Sequence, residues 1–358
     1  MKKFLKRALI VLIVLLLLPV VYFFVCDIYY KGTTNDEKVN YLKENAVSID
    51  VNSLNIPTNF LDAPDKDSFN VCILGEFHGF SPTHLFEAAF FEYLNKNYGV
   101  KDYCSEFFSH NADSLNLFLS KEYLDTAMVY NVIADIAKDN IPQLNTDEYY
   151  QEWISLYSYN KTLPDSAKIR VHGLLGDKKT YNGNRDATMA SNLIKLKNDN
   201  QLSHNVYCLT GMAHALQGQF VGIQKTFASM IKEEGFNTIS IIQHAADSKM
   251  FIPEGIYPMT PPDEEADFFS SDGWLYYFSH IKDLKAASED ANVTLFKLNG
   301  KESPYDSCHD FVDSRGPLFF ANWYFTPVEG SVTTDYFQYV LFINGSESPK
   351  KLITDIKY

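Results

Sequence analysis

From residue 70 onward, short apolar runs alternate with longer segments whose apolar positions recur every three to four residues. The runs Asn70–Leu74, Asp102–Phe107, Ile169–Leu174, Val206–Thr210 and Thr238–Gln243 read as buried strands. Between the first two, Ser81 and Pro82 start a helix, Leu85, Ala88, Ala89, Phe90 and Leu94 form its apolar face, and Tyr98-Gly99 ends it. A strand, a helix and a second strand in that order predict a parallel pair. Residues 111–163 read as mostly helical, broken at Asn140-Ile141-Pro142. The aromatics Tyr149, Tyr150, Trp153, Tyr157 and Tyr159 predict a helix packed on the sheet, with a lid over a pocket as the alternative. Helices over Arg185–Lys197 and Ile223–Glu234 complete the alternation. The pattern predicts an α/β fold with a central, mostly parallel sheet flanked by helices.

Beyond residue 245 come Pro253, Pro258, Pro261 and Pro262, then an acidic run over Asp263–Asp267. Later strand candidates are Trp274–Phe278, Val293–Leu298 and Tyr336–Ile343, read as the closing part of the same domain. No solenoid-length repeat is visible.

The N-terminus follows a different pattern. Lys2, Lys3, Lys6 and Arg7 precede an uncharged run from Ala8 to Val25, near the lower length for a bilayer span. The basic flank should stay cytoplasmic and send the rest of the chain outside. Tyr22-Phe23-Phe24-Val25 offers no small-residue cleavage site, which favours an uncleaved signal-anchor over a cleaved signal peptide. Bulky Val25 argues against lipidation at Cys26. The expected organisation is a transmembrane anchor or signal segment over 1–30, a linker with a short first helix over 31–65, and one α/β domain over 66–358. The expected location is the membrane, with the domain facing the periplasm or cell exterior.

Composition narrows the function. The 358 residues carry a formal net charge of −14, and no basic block exists beyond the N-terminus, which disfavours nucleic-acid partners. Hydrophobic residues make up 46%, with 27 Phe and 23 Tyr, enough for a large core. Of five cysteines, Cys72, Cys104 and Cys208 lie in strand candidates and read as buried thiols, a Cys72–Cys104 disulfide remaining open. Cys308-His309-Asp310 has the residue types of a nucleophile cluster but lies in a polar loop with no strand before it.

The chemistry gathers at strand ends, where ligands bind in open parallel sheets. Gly75-Glu76-Phe77-His78 and Gly211-Met212-Ala213-His214 share a G-x-x-H skeleton, each following an apolar strand. Gly75 and Gly211 are expected to turn the chain off its strand. His78 can take a proton from water, and a carboxylate at Glu76 favours the imidazolium that forms. Glu106 ends the second strand among aromatics, where burial raises a carboxylate's pKa unless a cation or imidazole stands beside it. His214 is expected at the start of a helix, whose N-terminus would lower its pKa. Arg185 heads a helix, an unfavourable place for a cation, and should be compensated by a site carboxylate or a substrate oxyanion. Against these readings stand ordinary ones: packed or surface histidines, a solvated Glu106, an Arg185 paired with Asp186 or Asp177. His244 also lies past a strand, without a glycine before it.

Taken in order, Leu74-Gly75-Glu76-Phe77-His78-Gly79, Ser105-Glu106, Arg185-Asp186-x-x-Met189-Ala190-x-Asn192 and Gly211-Met212-Ala213-His214-Ala215 resemble the erythromycin esterase-like proteins. Their wider superfamily includes the ChaN haem-binding lipoproteins and the TIKI/TraB proteins. Phe337–Ile343 and the turn to Pro349 are similar to the esterase family's final strand, so the likeness runs in outline from Asn70 to Leu352. It implies an α/β fold with a cleft at the strand ends, and a first-motif histidine acting as general base on water without a required metal. Carried over, that base is His78, the paired glutamates are Glu76 and Glu106, the later histidine is His214, and the arginine is Arg185. The first motif here is G-E-x-H, one residue shorter than the esterases' G-E-x-x-H and closer to ChaN and TIKI.

Three functions stay open on this reading. One is a hydrolase acting on a small-molecule ester, lactone or amide with no cofactor. A second is an exported haem- or ligand-binding protein. A third is a metal-dependent hydrolase with His78, His214, Glu76 and Glu106 as an N/O ligand set.

Overall fold

The computed structural model describes residues 2–49, 56–61, 68–256, 260–261, 264–273, 277–288, 293–315, 325–354 and 356. The expected boundary at residue 65 lies outside these, as do residues 274–276, Pro258, Pro262 and Asp263. Helix α1, Lys2–Tyr30, contains a stretch over Lys3–Tyr22 long and apolar enough to cross a membrane. Its described apolar side chains touch no core; Leu16, for example, is 65% exposed.

The segment after it does more than connect. Asn35 caps α2, Asp36–Glu44, by accepting from the Glu37 and Lys38 backbone N–H groups. Strand β1, Ala46–Ile49, then joins the sheet at its edge, an element the polar sequence had not suggested. The chain continues through β2, Val71–Glu76, α3, Ser81–Tyr98, and β3, Asp102–Ser105. Helices α4, Ser109–Ser120, α5, Thr126–Asp139, and α6, Asp147–Thr162, follow. Next come β4, Arg170–Gly173, α7, Arg185–Asn198, and β5, Val206–Gly211. The remainder is α8, Phe227–Glu233, β6, Thr238–Ala246, α9, Ile281–Ala287, β7, Val293–Lys297, and β8, Tyr339–Asn344.

Eight strands form one sheet in the order β1-β7-β8-β6-β2-β5-β3-β4. All pairs from β8 to β4 are parallel; β7 alone runs against its neighbours. The late strands Val293–Lys297 and Tyr339–Asn344 belong to this same sheet. Tyr277–Phe278 does not: it pairs with Ser314–Arg315 in a separate ribbon.

One consequence corrects the expected pairing. β2 and β3 are not neighbours, because β5 lies between them and hydrogen-bonds to both. Neighbouring strands are about 4.8 Å apart, so the carboxyl ends of β2, β5 and β3 stand side by side. The two G-x-x-H segments and Glu106 thereby share one edge.

Side chains alternate across the sheet and supply two cores. Cys72, Leu74, Tyr103, Tyr207 and Leu209 face a layer of α3, α4, α5 and α6. Val71, Ile73, Cys104 and Cys208 face α7, α8 and α9 on the other side. By this period of two, Glu76 points to the α3/α6 side, with consequences described below. Tyr149, Trp153 and Tyr157 are buried between α6 and its neighbours, so these aromatics of α6 serve packing. Cys72, Cys104, Cys208 and Cys308 are free thiols, which excludes the Cys72–Cys104 disulfide.

Candidate active site

The two glycines expected to turn the chain have other duties. β2 runs through Gly75 to Glu76. A Cβ at Gly75 would lie 2.7 Å from the Ala215 Cβ, so glycine is needed for close approach of the chain after β5. The turn itself comes at Gly79, whose φ of +96° suits only glycine. Gly211 is the last residue of β5, with φ −58°. His214 then sits in a single 3-10 turn, Met212–Ala215, not at the start of an α-helix.

These elements bring Glu76, His78, Glu106, Arg185 and His214 to one cavity of about 400 Å³, of a size for a small molecule. Glu76 is buried, and its Oε2 stands 3.0 Å from His78 Nδ1. The two atoms are in close electrostatic contact without an aligned hydrogen bond, and His78 turns Nε2 toward Gly211. A Cβ placed on Gly211 would meet His78 Nε2 at 3.1 Å, Glu106 Oε2 at 3.5 Å and His214 Cδ2 at 3.5 Å. The two imidazoles therefore border the same small gap above Gly211.

Glu106 lies beneath that gap, fully buried. Its Oε2 accepts the Gly211 backbone N–H at 2.9 Å, its Oε1 pairs with Arg185 Nη1, and His214 Nε2 is 3.6 Å away. Burial opposes its charge, but His214, His78 and Arg185 together hold it below the ordinary carboxylate range. This is the exception allowed for a buried carboxylate, two imidazoles and a guanidinium standing beside it. Arg185 at the head of α7 is thus balanced by a site carboxylate. Asn184 caps that helix by accepting from Ala187 N–H at 3.2 Å.

Asp186, which the sequence offered only as a partner for Arg185, instead holds His214. Its Oδ1 is 2.7 Å from His214 Nδ1 and accepts the Phe227 N–H at 2.6 Å. Burial works against a charged His214, yet Glu106 and Asp186 raise its pKa above the usual histidine value. The depression expected from a helix N-terminus is overturned, since no such helix lies under it. For Glu76, burial likewise opposes the charge, and the His78 and His84 imidazoles hold its pKa low.

His244 and the Cys308-His309-Asp310 cluster stand apart. His244 is inside β6, buried, with contacts to the Ser271 hydroxyl at 3.0 Å and the Phe311 carbonyl at 3.1 Å; burial drops its pKa to about 3. Cys308 lies 3.5 Å from the Pro304 carbonyl, with burial pushing its thiol up, and His309 faces the Ser331 carbonyl. Asp310 pairs with Lys38. No nucleophile–base pairing exists in that cluster.

Sequence reasoning missed His84, which lies within α3, together with its partners Glu87 and Glu152. Their signal was weak, since charged residues on an amphipathic helix read as solvent-facing.

Comparisons with known proteins agree with this architecture. No family profile and no curated protein matches the sequence. Among solved structures, a succinoglycan biosynthesis protein is similar with TM-score 0.55 at 11% identity, over 88% of this chain and 98% of that one. A mutant of the erythromycin esterase EreC in its open conformation is similar with TM-score 0.50 at 11% identity, over 86% of this chain and 98% of that one. The chain has the erythromycin esterase-like fold.

Proposed function

We propose that this protein is a hydrolase that activates water with His78 and attacks a small ester or lactone. The supporting observation is the gap above Gly211, bordered by His78 and His214 and floored by Glu106. A water there gives its proton to His78 Nε2, and Glu76 stabilises the imidazolium. The hydroxide forms a bond to the substrate carbonyl carbon, and the carbonyl electrons move to oxygen. Protonated His214 and the Arg185 guanidinium face that developing oxyanion. Collapse of the intermediate expels the alkoxide, which recovers the proton from His78.

The same reading takes α1 as a membrane anchor that carries the domain on the outer side. Membrane fractionation with a protease-accessibility assay tests it; a domain shielded in intact cells rejects the orientation.

The decisive assay uses the detergent-solubilised full chain on a panel of esters, lactones and amides. His78→Ala should lower turnover about 10²–10⁴-fold, the usual loss of a general base. Turnover unchanged in that variant, or absent across the panel in wild-type protein, rejects the hydrolase.

A further inference from the structure

Behind the cavity, between the sheet and the α3/α6 layer, lies a second group of titratable side chains that the proposed hydrolysis does not use. Glu76 Oε1 points away from His78 toward His84 Nε2, 3.7 Å distant. His84 Nδ1 lies 3.6 Å from Glu87 Oε2 and 3.5 Å from Glu152 Oε2. All four side chains are at most 1% exposed. Both oxygens of Glu87, both ring nitrogens of His84 and Oε2 of Glu152 lack a hydrogen-bond partner. So do the hydroxyls of Tyr149, whose ring packs on His84, and Tyr207. Only Glu152 Oε1 is satisfied, by the Tyr103 hydroxyl at 2.9 Å.

Unpartnered buried carboxylates are costly, and native proteins neutralise them. Among the described residues no lysine or arginine pairs with Glu87 or Glu152. The contrast is the cluster His280, Asp283 and Asp310, where Lys38 stands 2.5 Å from Asp310 and supplies the positive charge. The spacing at His84 is informative as well. Donor atoms about 2.1 Å from one tetrahedral ion stand about 3.4 Å from each other. One ligand atom from each of Glu76, His84 and Glu87 lies within 4.8 Å of the others. The contacts to Glu76 and to Glu87 and Glu152 are made by different ring nitrogens of His84, so an ion takes one nitrogen and leaves the other N–H facing a carboxylate, and the three residues would close in on it from their 4.8 Å span.

We propose that Glu76, His84 and Glu87 form a buried site for a divalent first-row transition cation, with Glu152 beside it. Two or three carboxylates with one imidazole suit Mn²⁺ or Zn²⁺. The ring N–H that does not bind the ion faces a carboxylate, the usual orienting partner of a metal-bound imidazole. Glu76 would then join this site to the cleft, one oxygen on the cation and the other on His78. The ion's place is distinct from the ligand set His78, His214, Glu76 and Glu106, which takes two imidazoles and leaves out His84 and Glu87.

The test does not depend on catalysis. Detergent-solubilised full-length protein is stripped with EDTA, dialysed against Mn²⁺, Zn²⁺ or Co²⁺ in turn, freed of excess ion, and its metal content measured by mass spectrometry. Wild type and His214→Ala should retain one ion per chain, and Glu87→Gln should lose at least tenfold in retention. X-ray absorption of the Co²⁺ form should show one imidazole among oxygen ligands, which keeps the test decisive if Glu87→Gln fails to fold. No retained ion in wild type, equal retention by folded Glu87→Gln, loss in His214→Ala, or two imidazoles in the coordination shell each overturns the site. Because the readout is metal content, a failed hydrolase assay leaves this result unaffected.

Discussion

Gly211→Ala adds one methyl group at the place on which the functional reading turns. The backbone at Gly211 has φ −58° and ψ 147°, a conformation that alanine adopts freely, and its N–H to Glu106 is kept. Restricting the unfolded chain stabilises such a change by roughly 0.4–1 kcal/mol. The new Cβ meets His78 Nε2 at 3.1 Å, tight enough to push the ring by a few tenths of an ångström, which returns most of that gain. Net stability should stay within about 1 kcal/mol of wild type, a shift in Tm of a few degrees or less. Catalysis should respond very differently. The methyl group occupies the gap where the attacking water must touch His78, and it stands 3.5 Å from both Glu106 Oε2 and His214 Cδ2. Losing a positioned water and base costs about 10²-fold or more in kcat/KM. The assay pairs a thermal melt with turnover of whichever ester or lactone the wild type hydrolyses best. A variant with near wild-type Tm and turnover within about twofold of wild type would show that water is not activated above Gly211.

Glu106→Gln removes a buried charge while keeping its shape. It strands the Arg185 guanidinium, but that side chain is 37% exposed and can rehydrate, so the cost should be about 1–2 kcal/mol, below that of breaking a fully buried pair; chemical denaturation measures it. The pH dependence has a defined sign. The raised His214 pKa means its stabilising charge is complete below the unfolded histidine value and is lost as pH rises through the folded one, and Asp186→Asn should move that alkaline limb of kcat/KM to lower pH. The depressed pKa of Glu106 contributes stability above the unfolded carboxylate value and loses it as pH falls through the folded one; acid titration of Glu106→Gln should show a shallower loss than wild type. Gly79→Ala forces a φ of +96° on an L-residue and places a Cβ 2.7 Å from the Phe251 carbonyl oxygen, so a loss of about 1–3 kcal/mol is expected in thermal melts.

The sequence determined the local elements. Apolar runs at 70–74, 102–107 and 206–210 specify strands, because a fully buried parallel strand must be apolar on both faces. Pro82 at the start and Gly99 at φ 68° bound α3 as their backbone preferences require. The same local reading placed His78, Glu106 and His214 at strand ends. It did not determine which strands touch. Strand order is fixed by long-range pairing and burial, and only the folded chain inserts β5 between β2 and β3 so that both imidazoles border the gap above Gly211. The electrostatics were equally non-local. Burial raises Glu106 only without a cation or imidazole beside it, and the fold supplies His214, His78 and Arg185, while His214, expected to be lowered, is raised by Glu106 and Asp186. The His84, Glu87 and Glu152 group was illegible for the same reason: a charged residue on a helix gives no local sign of whether water or another carboxylate will face it. Tertiary packing decides that, since it alone sets which polar atoms lose their water together.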